Sequence, residues 1–220
     1  MRFNVRVKAL TTLCVGGGAP EPGIDIALAK RITPDGEQEY YIPGSSFKGA
    51  LRSAACRVAK PYGFSFCGKI DPGELEEAHR NGEACHVCRL FGYPSRYAGR
   101  GWSRLFVSDL EPAAEFKPFI MTRVRIDDRS LRAVEGGLFN LEYIPPGVEF
   151  HGEVWLRDWD EDLLALLILS LAELRLDRFG RASIIDLRVE EDEELEKELR
   201  GTRWMELLID LREWMWSEVL

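Results

Sequence analysis

Phe47, Ala50, Leu51, Ala54, Ala55 and Val58 fall at i, i+3, i+4, i+7, i+8 and i+11, which puts them on one face of an α-helix. A helix this short draws most of its stability from packing that face, so the chain must supply a second layer to cover it. The preceding Ile42-Pro43-Gly44-Ser45-Ser46 ends an extended segment and places a serine where an N-cap is expected. Lys48 and Arg52 lie one turn apart off the apolar face and are expected on the solvent side.

Strands supply the covering layer. Residues 2–13 alternate through Phe3, Val5, Val7 and Ala9, and residues 105–110, 150–156 and 182–189 read as further strands. Residues 162–174 are apolar nearly all round, the pattern of a buried helix. The order strand, helix, strand, strand, helix, strand predicts an α+β fold with a ferredoxin-like (RRM-type) βαββαβ core, a sheet backed by two helices. Residues 1–189 are expected to form this domain. Within it, residues 60–101 are rich in Gly, Pro and Cys and read as an irregular Cys-rich insertion. Residues 119–150 hold two alternating arms around Asp127-Asp128-Arg129-Ser130 and read as a projecting thumb hairpin. Residues 190–220 read as a helical tail. Its acidic start suits a helix dipole, and Trp204, Leu207, Leu208, Leu211, Trp214 and Met215 form an apolar stripe. That stripe either packs on its own domain or docks to a neighbour.

The 220 residues, 45% hydrophobic and 30% charged, suffice for one core. The longest apolar run, residues 163–171, is too short to span a membrane. Met1-Arg2-Phe3-Asn4-Val5 alternates like a strand and lacks a signal-peptide core, so a cytoplasmic protein is expected. The net charge of −8 weighs weakly against nucleic acid. Acid is concentrated in residues 190–198, however, while residues 96–104 and 123–132 are Arg-rich, and RNA requires only a local basic face. Gln and Asn are scarce beside Glu and Arg, a bias of proteins from hot environments.

Cys85-His86-Val87-Cys88 has the C-x-x-C spacing at which two thiolates share a tetrahedral zinc. Cys67 lies upstream in the same stretch. The fourth ligand is open between His79, Cys56 and His86. His79 is preferred, since Cys56 belongs to the first helix and His86 is awkwardly placed between two cysteines. A structural zinc at Cys67, His79, Cys85 and Cys88 is expected, against free thiols or a disulfide. No adjacent Glu stands ready as a base, and the absence of an H-E-x-x-H argues against a metabolic zinc enzyme.

Three separated segments carry a family signal: IPGSSFKGALRSA at 42–54, CHVCRLFG at 85–92 and TRVRIDDRSLRAVEGGLFNLEYIPPGVEFHGEV at 122–154. A glycine-rich loop before the last strand is present in reduced form as Arg178-Phe179-Gly180-Arg181. Together they resemble the RAMP superfamily of CRISPR-associated proteins. The thumb and compact length are similar to backbone subunits of type III (Csm- or Cmr-type) effector complexes. The resemblance implies a guide-RNA-binding subunit that self-associates along the guide, positions target RNA and contacts other type III subunits. The alternative is a non-catalytic architectural or capping subunit that binds RNA and its neighbours.

The resemblance also gives the residues roles. Ser45, Ser46, Lys48 and Arg52 would hold guide phosphates at a helix start, where unpaired N–H groups point outward. Arg123 and Arg125, two apart in one arm, share a face and would grip phosphates while the apolar tip wedges between bases. Arg178 and Arg181 would form another phosphate site facing the helix start. Arg96, Arg100 and Arg104, interleaved with Tyr97 and Trp102, are either a further RNA contact or a solvated loop. An Asp in the loop after the first strand is associated in type III backbone subunits with metal-dependent cutting of target RNA. Asp25 occupies that place, with Mg²⁺ as the implied cofactor. The other reading of Asp25 is a loop residue that caps a turn.

Overall fold

The computed structural model describes residues 1–18, 20–80, 82–96 and 101–216. In chain order the elements are β1 (Arg2–Ala9), β2 (Lys30–Ile32), β3 (Gln38–Tyr40), α1 (Gly44–Val58), α2 (Pro72–Ala78), α3 (His86–Phe91), β4 (Leu105–Val107) and β5 (Glu111–Pro112). They continue with β6 (Phe119–Ile126), β7 (Ala133–Tyr143), β8 (Glu149–Leu156), α4 (Glu161–Leu174), β9 (Arg178–Phe179), β10 (Ser183–Glu190), α5 (Glu193–Leu199) and α6 (Met205–Leu211).

The architecture is mixed α/β around a curled antiparallel sheet. Its strand order is β4-β8-β1-β10-β9, with β5 pairing farther along β8. β1 is central, bonded on one side to β8 (Val5↔Gly152) and on the other to β10 (Val5↔Val189). Its period-two pattern therefore sends Phe3, Val5, Val7 and Ala9 into the core. α1 and α4 pack on that inner face and on each other. Phe47, at the foot of the α1 stripe, is fully buried and meets Phe179 edge-on at 6.1 Å. Truncating it to Ala would cost about 3–5 kcal/mol.

Three features differ from the sequence reading. α1 starts at Gly44, and neither Ser45 nor Ser46 caps it: Gly44 N–H donates to the Asp109 carboxylate at 2.8 Å. The strand exit is pressed so close that a Cβ on Gly44 would lie 2.4 Å from Ser108 O, which delivers Asp109 to the helix end. The 60–101 stretch is not wholly irregular: α3 buries Val87 and Leu90 in the core, too short an apolar run for periodicity to register. β2 and β3 form a small hairpin the sequence did not announce.

The thumb arms pair as β6–β7, with a bulge between Val124 and Ile126. The tail packs inward: Leu195, Leu199, Leu208 and Leu211 are fully buried in the main core. Arg175 fastens it, bonding Asp186 at 2.9 Å and donating to the Asp210 and Glu213 carbonyls at the end of α6. Among the described residues no helix is long and apolar enough to cross a membrane.

Candidate functional site

The start of α1, the turn that carries β9, and the chain after β1 enclose one cavity of about 390 Å³. Ser46, Gly49 and Ser53 form one wall, and Arg178 and Arg181 another. Gly180 makes this approach feasible. Its φ is +60°, and a Cβ there would sit 2.4 Å from Cys14 O, where Arg181 N–H also bonds at 3.1 Å. Only glycine accepts both that backbone conformation and that contact. Burial pushes the Cys14 thiol up, with Arg181 opposing in part, so a neutral sulfur lines the floor.

Gly16 and Arg181 also border a second cavity of about 410 Å³ that contains Asp25. The two spaces thus adjoin along the same side of the molecule. The Asp25 segment lies along β7 at the base of the thumb, with Ile26 bridged to Leu141 in parallel. Asp25 N–H donates to Asn140 O at 3.0 Å, and its carboxylate Oδ2 accepts from Asn140 N–H at 2.7 Å. Asn140 Nδ2 in turn donates to Gly23 O. Oδ1 accepts no hydrogen bond among the described residues. The neighbouring carboxylate, Glu142, is buried and committed: it accepts from Leu28 N–H and Tyr40 O–H, each at 3.0 Å. Burial and that bond push the Tyr40 phenol up to about 12.

Lys48 and Arg52 are not on an open face. Lys48 Nζ donates to Ser103 Oγ at 2.7 Å, and Arg52 donates to Gly92 O at 2.7 Å and reaches Cys88 Sγ. Cys88, Gly92 and Ser103 cover that flank of α1, leaving Ser45, Gly49 and Ser53 exposed on the other. Burial, together with Arg52 nearby, lowers the Lys48 ammonium's pKa. Arg123 and Arg125 are exposed on the thumb, Arg125 at the bulge of β6, with Arg123 set 5.8 Å from the Tyr143 ring. Ile120, Val124 and Leu138 are exposed on the opposite face. Arg96 pairs with Glu76, and Arg104 donates to Asp158 O. Tyr97 and Arg100 lie outside the described residues.

Ion pairing sorts the cations. Arg6, Arg31, Arg57, Arg89, Arg188 and Arg212 all face carboxylates. Lys48, Arg52, Arg123, Arg125, Arg178 and Arg181 enter no ion pair among the described residues. In an acidic protein they are among the charges left for an external anion.

Cys67, His79, Cys85 and Cys88 converge behind α1, each offering one donor atom, all within 4.8 Å of one another. Cys67 and Cys88 sulfurs are 3.9 Å apart, and Cys85 Sγ is 4.0 Å from His79 Nε2. Zinc–sulfur arms of about 2.3 Å in a tetrahedron require donor edges near 3.8 Å, so the set fits zinc. The other candidates are committed elsewhere: His86 bonds Ser65 through Nδ1 and faces Asp162 through Nε2, and Cys56 stands outside the group. The thiol contact with Cys88 pulls Cys85 down to about 5, while the same contact and burial push Cys88 up. Without a metal, one thiolate forms readily and the next is resisted.

Sequence reasoning missed Asn140, Glu142 and Asp109. The one usable signal was rarity: Asn140 is among the few Asn and Gln residues of the chain.

Residues 6–183 match the family model described as the RAMP superfamily. A chain of a structure titled "Type IV-B CRISPR Complex" shares the fold, with a TM-score of 0.55 and 18% sequence identity over 88% of this chain and 92% of that one. No curated protein matches.

Proposed function

Because this chain belongs to the RAMP superfamily, we propose that it is a guide-RNA-binding subunit of a CRISPR effector complex, of the type III backbone class, that self-associates along its guide and works in the cytoplasm. The core is read as ferredoxin-like: across the sheet run β4, β8, β1 and β10, which are the second, third, first and fourth of these four strands in chain order, the arrangement of a split βαβ pair. The observation that carries the functional reading is that two cavities share Gly16 and Arg181 as lining, with Arg178 and Arg181 entering no ion pair among the described residues. Guide phosphates would lie against Ser45, Ser46, Arg178 and Arg181. Arg123 and Arg125 would hold the strand from the thumb. Lys48 and Arg52 would contribute their field from behind α1 rather than direct contact.

Target RNA would reach Asp25 at the thumb base. With Asn140 fixing one carboxylate oxygen, the other would supply a single ligand to Mg²⁺, whose role when bound is to neutralise phosphate charge. One carboxylate is little machinery, and Glu142 is committed. That commitment favours a second reading, a non-cleaving architectural or capping subunit. Asp25→Ala in assembled complexes separates the two: target binding persists in both, and cutting stops only if Asp25 takes part. For the main reading, gel shifts with repeat-containing RNA should show salt-sensitive binding. Binding absent both alone and with partner subunits would refute it.

A further inference from the structure

Helix α1 has a second flank, and it too carries charge without a counter-ion. Phe106 on β4 pairs across the sheet edge with Trp155 on β8. By alternation both point away from the buried Leu105 and Leu156. Beside them opens a cavity of about 540 Å³ whose walls include Trp102, Phe106, Arg104, Arg157, Glu83 and Asp158. Trp102 is 79% exposed and Phe106 41%. The Arg157 guanidinium stands 5.3 Å from the Phe106 ring centroid, and Lys48 Nζ 5.7 Å. Arg104 is steered by the Asp158 backbone carbonyl at 2.6 Å. Among the described residues none of Lys48, Arg104 and Arg157 enters an ion pair.

An exposed indole next to unmatched cations calls for a ligand with two parts. A purely apolar ligand would leave the cations unmatched, and a bare anion would leave Trp102 in water. A nucleotide answers both, its base stacking on the ring and its phosphate meeting the guanidinium groups. We propose that this cavity binds an unpaired nucleotide of single-stranded RNA, as a second contact on the opposite flank of α1 from the Arg178–Arg181 groove. Ser46, Gly49 and Ser53 face that groove, whereas Lys48 reaches Ser103 beside this cavity. A strand held in the groove therefore meets the new site only by passing the helix start. The proposal extends the RNA-binding reading and assigns this cavity its own share of the strand.

The test uses the full chain with single-stranded RNA carrying 4-thiouridine, crosslinked by light and mapped by mass spectrometry. A crosslink on the peptide containing Trp102 is expected, and it should persist in Arg178→Ala. Trp102→Leu should weaken single-stranded RNA binding about tenfold and leave duplex RNA of equal length unaffected. Circular dichroism of the variant controls for folding, and Arg157→Ala should reproduce the loss in a second background. Crosslinks confined to the Arg178–Arg181 groove, or unchanged affinity in both variants, would overturn the site while leaving the groove reading intact. Crosslinks at Trp102 alone would sink the groove reading and support this one. Trp102-dependent binding of a poly-glutamate peptide with no effect on RNA would replace the nucleotide by an acidic protein segment.

Discussion

Arg181 borders both cavities and enters no ion pair among the described residues, so its charge is available to a phosphate in either. Arg178→Ala and Arg181→Ala should each weaken RNA binding uniformly across sequences and reduce the slope of log K against log salt by about one. Filter binding from low to moderate salt reads this directly, and an unchanged slope would show that neither residue meets phosphate. Tyr40 offers a test by pH. Its phenol is held up to about 12 in the fold, against about 10 in an unfolded chain. The folded state therefore keeps the proton longer. The stability this confers is complete below pH 10 and is lost as pH rises from 10 towards 12. Thermal melts should fall over that window in the native protein and stay flatter in Tyr40→Phe. At this scale the cysteine and histidine donors were legible, because a C-x-x-C in a loop has few other uses. Lys48 and Arg52 were misplaced because periodicity shows which residues share a flank but not which distant segment later covers it.

The segment from Cys67 to Phe91, which carries α2 and α3, should depend for its order on the zinc proposed at Cys67, His79, Cys85 and Cys88. It holds two short helices, one of them, α2, with a single buried side chain, Leu75, and too little core to stand unaided. Zinc chelation, or Cys88→Ser, should raise hydrogen exchange across residues 64–93 well before β1 responds. Bound zinc measured by elemental analysis should fall from about one per chain to none. A folded segment with full protection and no metal would defeat the assignment. Helix α1 teaches a different point. Its apolar face was plain in the sequence, but its cap was not, since Asp109 arrives from the far end of β4. Asp109→Ala should cost about 1 kcal/mol, the usual worth of an N-terminal carboxylate. The thumb was legible as alternating arms around a polar turn; its anchoring to the Asp25 strand was not, because that pairing joins residues far apart in sequence.

For the molecule as a whole, the alternation of β1, the apolar face of α1 and the nearly all-round apolar pattern of α4 were readable from periodicity, because these residues are the ones the core buries. Where the tail would go was not readable, since an apolar stripe does not name its partner. The structure turns it onto α4 and β10 and locks it with Arg175, which is buried with Asp186. Arg175→Ala would leave Asp186 buried without its cation and strip the Asp210 and Glu213 carbonyls of their donor. A loss of about 3–5 kcal/mol in urea unfolding is expected. A double replacement, Arg175→Met with Asp186→Leu, should recover part of it.

The turn at Gly180 ties Arg181 to the chain that leads on to Asp25, so within one copy the phosphate grip and the carboxylate stand at a set separation. If copies queue along a strand as proposed, the interval between successive Asp25 residues would equal the width of one protein. The molecule would then act as a ruler that measures RNA in subunit lengths and ignores which bases lie beneath the marks.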